Sequence, residues 1–290
     1  MVQRRRDHFL EPLERPVARQ RPRLSADVRR DGLVLRNPTL GPRALLLGLC
    51  LATSAAWAQS HEDRLDALER RVEADRKLLH DWGGLIRYGS ENTEVPKRRP
   101  GETRVVFFGD DTFDLWDDRA EFFPGKPYFN RGVAGQTTPQ MLVRFRQDVI
   151  KLDPAVVILQ GGMNDIASLT GPSTQGMMIE NYQSMIELAQ AHGIQVVLAS
   201  LLPICDCGTN QTALRPRGKI FGVNDWLEEY AEEHGLVYLN FYGALADGRE
   251  FRRDLTDDGL VPNAAGYKAM APLAEAAIAE AVAQSQRPPR

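Results

Sequence analysis

Cysteine is scarce, with three in 290 residues, and one of them, Cys50, falls inside an apolar run near the N terminus. Two remaining cysteines, Cys205 and Cys207, are too few for a disulfide-stapled scaffold. Their C-x-C spacing, without His or acidic ligands nearby in a zinc pattern, is no metal site. A bridge between them would close a very small loop, so the pair reads as a loop element in which a disulfide is possible but not the default. Histidine is nearly as rare: His8, His61, His80, His192 and His234 are the whole set. No apolar run is long enough for a confident membrane-spanning helix, which needs about 20 residues. Lysine is missing from residues 1–58, where eleven Arg face five acids; that balance of +6 against a net charge of −3 leaves −9 for the rest of the chain. A mildly acidic body argues against a nucleic-acid partner, because phosphate binding needs a basic surface. What is present is ordinary for a globular protein: 43% hydrophobic and 26% charged residues.

The basic head has its own explanation. Arg43 is followed by Ala-Leu-Leu-Leu-Gly-Leu-Cys-Leu-Ala-Thr-Ser-Ala-Ala-Trp-Ala at 44–58. A positive flank, a short apolar core and an A-x-A ending are the parts of a secretory signal, with cleavage expected before Gln59. The alternative is a buried core helix. Residues 1–58 therefore read as a basic extension plus signal, and the protein as exported, to a bacterial periplasm or beyond. Residues 59–86 carry Leu65, Leu68, Val72 and Leu79 at helical spacing among many charges. They form an amphipathic helix that either packs on the domain or self-associates through residues 60–83. Residues 87–102, with Pro96, Pro100 and a basic run, read as a linker.

From 103 the pattern alternates. Strands are expected at 103–108, 128–133, 155–160, 195–200 and 236–241. Helices are expected at 138–152, 174–192, 220–234 and 264–283, with Gly193 and Gly235 as C-terminal stops. Short apolar strands separated by helices imply a parallel sheet covered on both faces. No internal repeat or second domain is visible, so 103–285 is one α/β unit.

Four blocks lie at the predicted strand ends and before the last helix: Phe108-Gly109-Asp110-Asp111, Asn130 through Thr138, Gly162-Met163-Asn164-Asp165, and Asp258-Gly259-Leu260-Val261-Pro262-Asn263. In order and position they resemble the blocks of the SGNH (GDSL-type) hydrolases, over roughly residues 103–283. The resemblance implies a flavodoxin-like three-layer α/β/α sandwich with strand order 2-1-3-4-5, and carboxylic-ester hydrolysis without metal or organic cofactor. It also implies roles. The turn after the first strand presents a nucleophilic serine, here replaced by Asp111. The backbone N–H at the nucleophile and that of Gly135 join Asn164 as an oxyanion hole, whose donors stabilise charge that develops in the transition state. Asp258 holds the position of the triad acid. The histidine that would take the serine proton is replaced by Val261.

Loss of a triad nucleophile or base costs about a million-fold in turnover, or about 8 kcal/mol of barrier. The resemblance thus points to a catalytically impaired relative that could bind an ester, lipid or acetylated glycan. An active hydrolase with an unusual nucleophile and a non-catalytic assembly protein are the alternatives. The five histidines lie outside the blocks. Asp111 as a carboxylate nucleophile, or Asp110, Asp111 and Asp114 around Mg²⁺, is disfavoured because the spacing fits no Asp-nucleophile motif. Asp111 is expected either to cap the following helix or to fill the oxyanion hole with its own carboxylate. Asp258 is expected as a cap or turn residue, Val261 as a packing residue, and Asp165 as a fastener of its loop. Arg131, Gln136 and Arg144 are assigned to the cleft lining or to a solvated surface.

Overall fold

A computed structural model describes residues 61–286, apart from 74, 75, 77, 78, 117 and 118. The expected signal, its cleavage site and Cys50 lie outside the described residues. Residues 61–73 are helical as their spacing predicts, but the helix expected to run to residue 86 ends earlier, because Asp81 closes a turn with Leu85 and Ile86. Leu65, Leu68, Val72 and Leu79 remain 57–86% exposed, so this helix does not pack its apolar residues on the domain.

The domain elements follow in chain order. A short helix α1 (Gly89–Glu94) precedes strand β1 (Val105–Gly109), the one-turn helices α2 (Asp111–Asp114) and α3 (Arg119–Phe122), and strand β2 (Tyr128–Gly132). Helix α4 (Thr138–Asp148), strand β3 (Val156–Gln160) and the one-turn helix α5 (Met163–Ile166) come next. Then come α6 (Gln175–Ala191), β4 (Gln195–Ala199), α7 (Arg217–His234), β5 (Val237–Leu239) and α8 (Phe241–Leu245). A two-stranded hairpin, β6 (Ala246–Asp247) with β7 (Glu250–Phe251), leads to the long α9 (Ala264–Ser285). The expected linker at 87–102 is corrected in part: it contains α1 and the buried Tyr88.

All five main strands are parallel, in the order β2-β1-β3-β4-β5. Side chains alternate across each strand and separate two cores. Val105, Phe107, Ile158 and Val197 face α9 through Tyr267, Met270, Ala274 and Ile278. Val106, Phe108, Val157 and Leu198 face α4, α6 and α7 through Phe145, Met185 and Leu227. This is the three-layer sandwich that the sequence predicts. Reversal of the strand order at β1 (β2 on one side, β3 on the other) opens a crevice at the carboxyl ends of the strands, where ligands collect in such sheets.

Candidate active site at the ends of the first three strands

The close approach of β1 and β3 dictates a glycine at the end of β1. A Cβ on Gly109 would lie 2.2 Å from the carbonyl oxygen of Gln160, its register partner. Asp110 follows, 1% exposed, and its carboxylate accepts from the backbone N–H of Thr112 at 3.4 Å and of Gly162 at 3.2 Å. Asp110, rather than Asp111, is therefore the N-cap of α2, and the capping role expected for Asp111 is corrected. Burial pushes the Asp110 carboxyl up to about 8, with the neighbouring Asp111 charge adding to it and the two N–H groups opposing it.

Asp111 is the first residue of α2, and its side chain points elsewhere. One carboxylate oxygen, Oδ2, accepts from the backbone N–H of Gly135 at 2.9 Å and from Nδ2 of Asn164 at 2.6 Å. Gly135 adopts φ +78°, in the turn that follows β2. Asn164 also donates to the backbone carbonyl of Gln136 at 3.0 Å, which fixes its amide. Asp165 accepts from the N–H of Thr138 at 2.9 Å and from its hydroxyl at 2.7 Å, and so fastens α5 to the start of α4. Three residues that are far apart in the sequence, Asp111, Gly135 and Asn164, thus meet at one oxygen atom.

Asp258 and Val261 lie on the loop before α9. Oδ1 of Asp258 accepts from the N–H of Leu260 at 2.8 Å and of Val261 at 3.0 Å, so Asp258 is a turn residue. The cap of α9 is Asn263. Val261 is half-buried, and its carbonyl accepts from the Thr256 hydroxyl at 2.7 Å. Its isopropyl group has no capacity for a proton. His192 and His234 are exposed at the C-terminal ends of α6 and α7, where each ring meets a backbone carbonyl of its own helix.

Sequence reasoning missed Arg215. It is 6% exposed, with Nε donating to the carbonyl of Met163 at 3.2 Å and Nη1 to Gln211 at 3.0 Å. Burial lowers its pKa, and the nearby charges of Asp111, Asp110 and Asp258, in that order, oppose the effect. One guanidinium thus feels the carboxylates of both the first and the last block. It sits in an aperiodic loop just before α7, so nothing in the sequence marks it. The same loop carries Cys205 and Cys207, which are disulfide-bonded, contrary to the default expected from their spacing. Cys205 donates its N–H to the carbonyl of Gly259, which ties this loop to the Asp258 turn.

Arg131, Gln136 and Arg144 are not solvated surface: all three are buried. Arg144 donates to the carbonyls of Arg131 at 2.7 Å and Gly109 at 2.8 Å, to the Gln136 side chain, and to Asp148. It clamps the ends of β1 and β2 beneath the Gly135 turn.

The arrangement has counterparts among known proteins. The GDSL-like lipase/acylhydrolase family model matches residues 99–269. The chain belongs to this family. Among solved structures, a candidate acylhydrolase from Bacteroides fragilis is 36% identical, covering 70% of this chain and 99% of its own, with a TM-score of 0.66. A GDSL-like lipase from Bacteroides thetaiotaomicron is 34% identical, covering 69% of this chain and all of its own, with a TM-score of 0.65. An uncharacterized lipoprotein of Bacillus subtilis is 34% identical over 80 residues, or 27% of this chain; the match spans about a third of that relative (33%). The family match of this GDSL-type chain runs over residues 99–269, and the segment before residue 99 lies outside it.

Proposed function

We propose that this protein is an exported, catalytically impaired GDSL-type acylhydrolase that binds an acyl ester, lipid or acetylated glycan without turning it over. The observation that carries the reading is the position of Asp111. Its carboxylate oxygen takes both the Gly135 N–H and the Asn164 amide, the donors that a family member aims at the developing oxyanion. A carbonyl oxygen entering that space would meet a carboxylate instead of free donors. The carboxylate itself has no hydroxyl to deprotonate, and at position 261 a valine stands where the family has its base. Arg215 offsets part of the negative charge of Asp111 and Asp258. Export is supported by the apolar, A-x-A-ended segment at 44–58 and by the relative named a lipoprotein.

The test is an assay on p-nitrophenyl acetate and butyrate of the parent beside Asp111→Ser with Val261→His. Background hydrolysis by the parent and measurable turnover by the double variant is the expected result. Parent turnover well above background that disappears in Asp111→Ala would overturn the reading. A second reading, assembly through the N-terminal helix, is favoured by the exposure of Leu65, Leu68, Val72 and Leu79.

A further inference from the structure

Residues 81–94 precede the family-matched region, yet they are fastened to the domain by side chains reaching out from it. Gln140 donates to the carbonyl of Trp82 at 2.7 Å, Gln136 to that of Gly83 at 3.0 Å, and Gln147 to that of Leu85 at 2.6 Å. Asp81 closes the turn by accepting from the N–H groups of Leu85 at 2.8 Å and Ile86 at 2.9 Å. Farther along, the Tyr88 hydroxyl donates to Gly132, and Asn92 donates to Asp148. Such a strap has a fixed course, so the Trp82 side chain is presented in a fixed place while remaining 42% exposed.

That place is the edge of a cavity of about 250 Å³. Trp82, Pro139 and Met177 supply apolar surface, while Thr170, Glu180 and Asn181 supply acceptors and a hydroxyl. The Asn181 amide nitrogen is engaged by the Thr138 hydroxyl at 3.0 Å, which leaves its oxygen as an acceptor. No Lys or Arg is among the lining residues, so an anion has no counter-charge there. The volume falls below the roughly 300 Å³ at which pockets for drug-sized ligands begin, which limits the occupant to about one ring. A wide aromatic face beside carboxylate, carboxamide and hydroxyl oxygens fits a molecule with an apolar C–H face and hydroxyl donors at its rim.

We propose that the strap-borne Trp82 and the groups of α6 form a subsite for one neutral, polyhydroxylated ring, a sugar unit. The ring stacks on the indole, and its hydroxyls donate to Glu180 and Asn181. The inference does not depend on the catalytic state of Asp111, so its failure and that of the impaired-site reading are separately visible.

The experiment is saturation-transfer NMR and calorimetric titration of the full chain with cellotriose, maltotriose and N,N′,N″-triacetylchitotriose, and separately with tetramethylammonium. Saturable binding of at least one trisaccharide is expected. It should weaken at least tenfold in Trp82→Ala, stay within threefold of the parent in Trp82→Phe, and weaken severalfold in Glu180→Gln. Because the strap is held through the Trp82 carbonyl, the Ala variant keeps its staple, and an unchanged melting temperature confirms that it is folded. Absence of binding across the trisaccharide panel overturns the proposal, as does undiminished binding by Trp82→Ala. Saturable tetramethylammonium binding without any sugar binding overturns it in favour of a cation site.

Discussion

If the Asp111 carboxylate fills the oxyanion site, its removal should leave a vacancy that a small carboxylate can refill. In Asp111→Ala the Gly135 N–H and the Asn164 amide lose a shared, charged acceptor. Hydrogen bonds to a charged group contribute about 1.5–3 kcal/mol each. Gly135 is exposed, so water replaces part of the loss, and about 2 kcal/mol is the expected net cost. For a domain of this size that lowers the melting temperature by about 4–8 °C. Formate is the smallest mimic of the missing group. At a concentration tenfold above its dissociation constant it would restore about 1.4 kcal/mol, or about 3–6 °C. The assay is thermal unfolding of parent and Asp111→Ala in 100 mM sodium formate against 100 mM sodium chloride. Recovery in the variant alone is expected, since the parent site is occupied. An Asp111→Ala melting temperature within a degree of the parent, or an equal formate effect on both proteins, would refute the occupied-site argument.

Two further outcomes follow from other residues. The Asp110 carboxyl, raised to about 8 in the fold, binds its proton more tightly than in the unfolded chain, where it titrates near its ordinary value. Its contribution to stability is present in full below about pH 4 and is lost as pH rises toward 8, with a slope of up to about 1.4 kcal/mol per pH unit. Denaturant titrations from pH 4 to 8 should show that fall in the parent and a flatter profile in Asp110→Asn; parallel profiles would remove Asp110 as its source. The exposed Leu65, Leu68 and Val72 predict self-association. In sedimentation velocity the chain from Gln59 should exceed monomer mass and Leu68→Glu with Val72→Glu should not; a monomeric parent would sink the assembly reading.

Much of the fold is legible in the sequence because parallel strands buried on both faces read as unbroken apolar runs, and Val105–Phe108 and Val156–Leu159 are such runs. The meeting of Asp111, Gly135 and Asn164 is legible only through the order of the blocks, since spacing alone does not place residues 24 and 53 positions from Asp111 at one oxygen. Which of two adjacent aspartates caps the helix is not legible: Asp110 and Asp111 are chemically identical, and backbone direction at the end of β1 decides between them. Arg131 and Arg144 look like surface residues by type. They are buried with their guanidinium groups donating to the backbone carbonyls of Asn130, Arg131 and Gly109 near the strand ends. The strap hides behind proline and basic residues that resemble a linker, while its hold on the domain lies in Gln140 and Gln147 of α4 and in Gln136 just before it.

Positions 111 and 261 differ in kind. Position 261 contributes its backbone to the Asp258 turn, through an N–H to Asp258 and a carbonyl to Thr256, and neither bond depends on the side chain. A valine there is compatible with the loop without adding a polar contact. Position 111 is different, because its side chain satisfies two donors at once. With alanine or glycine those donors would face water or an adventitious anion, and with serine they would be free for substrate. A carboxylate is the side chain that holds the anion-binding geometry closed on itself while Arg215, sensing Asp111 and Asp258 together, limits the accumulation of negative charge. Asp111, Gly135 and Asn164 therefore form a structural contact between α2, the Gly135 turn and α5. Hydrogen-bond satisfaction at the Asp111 carboxylate holds this contact together.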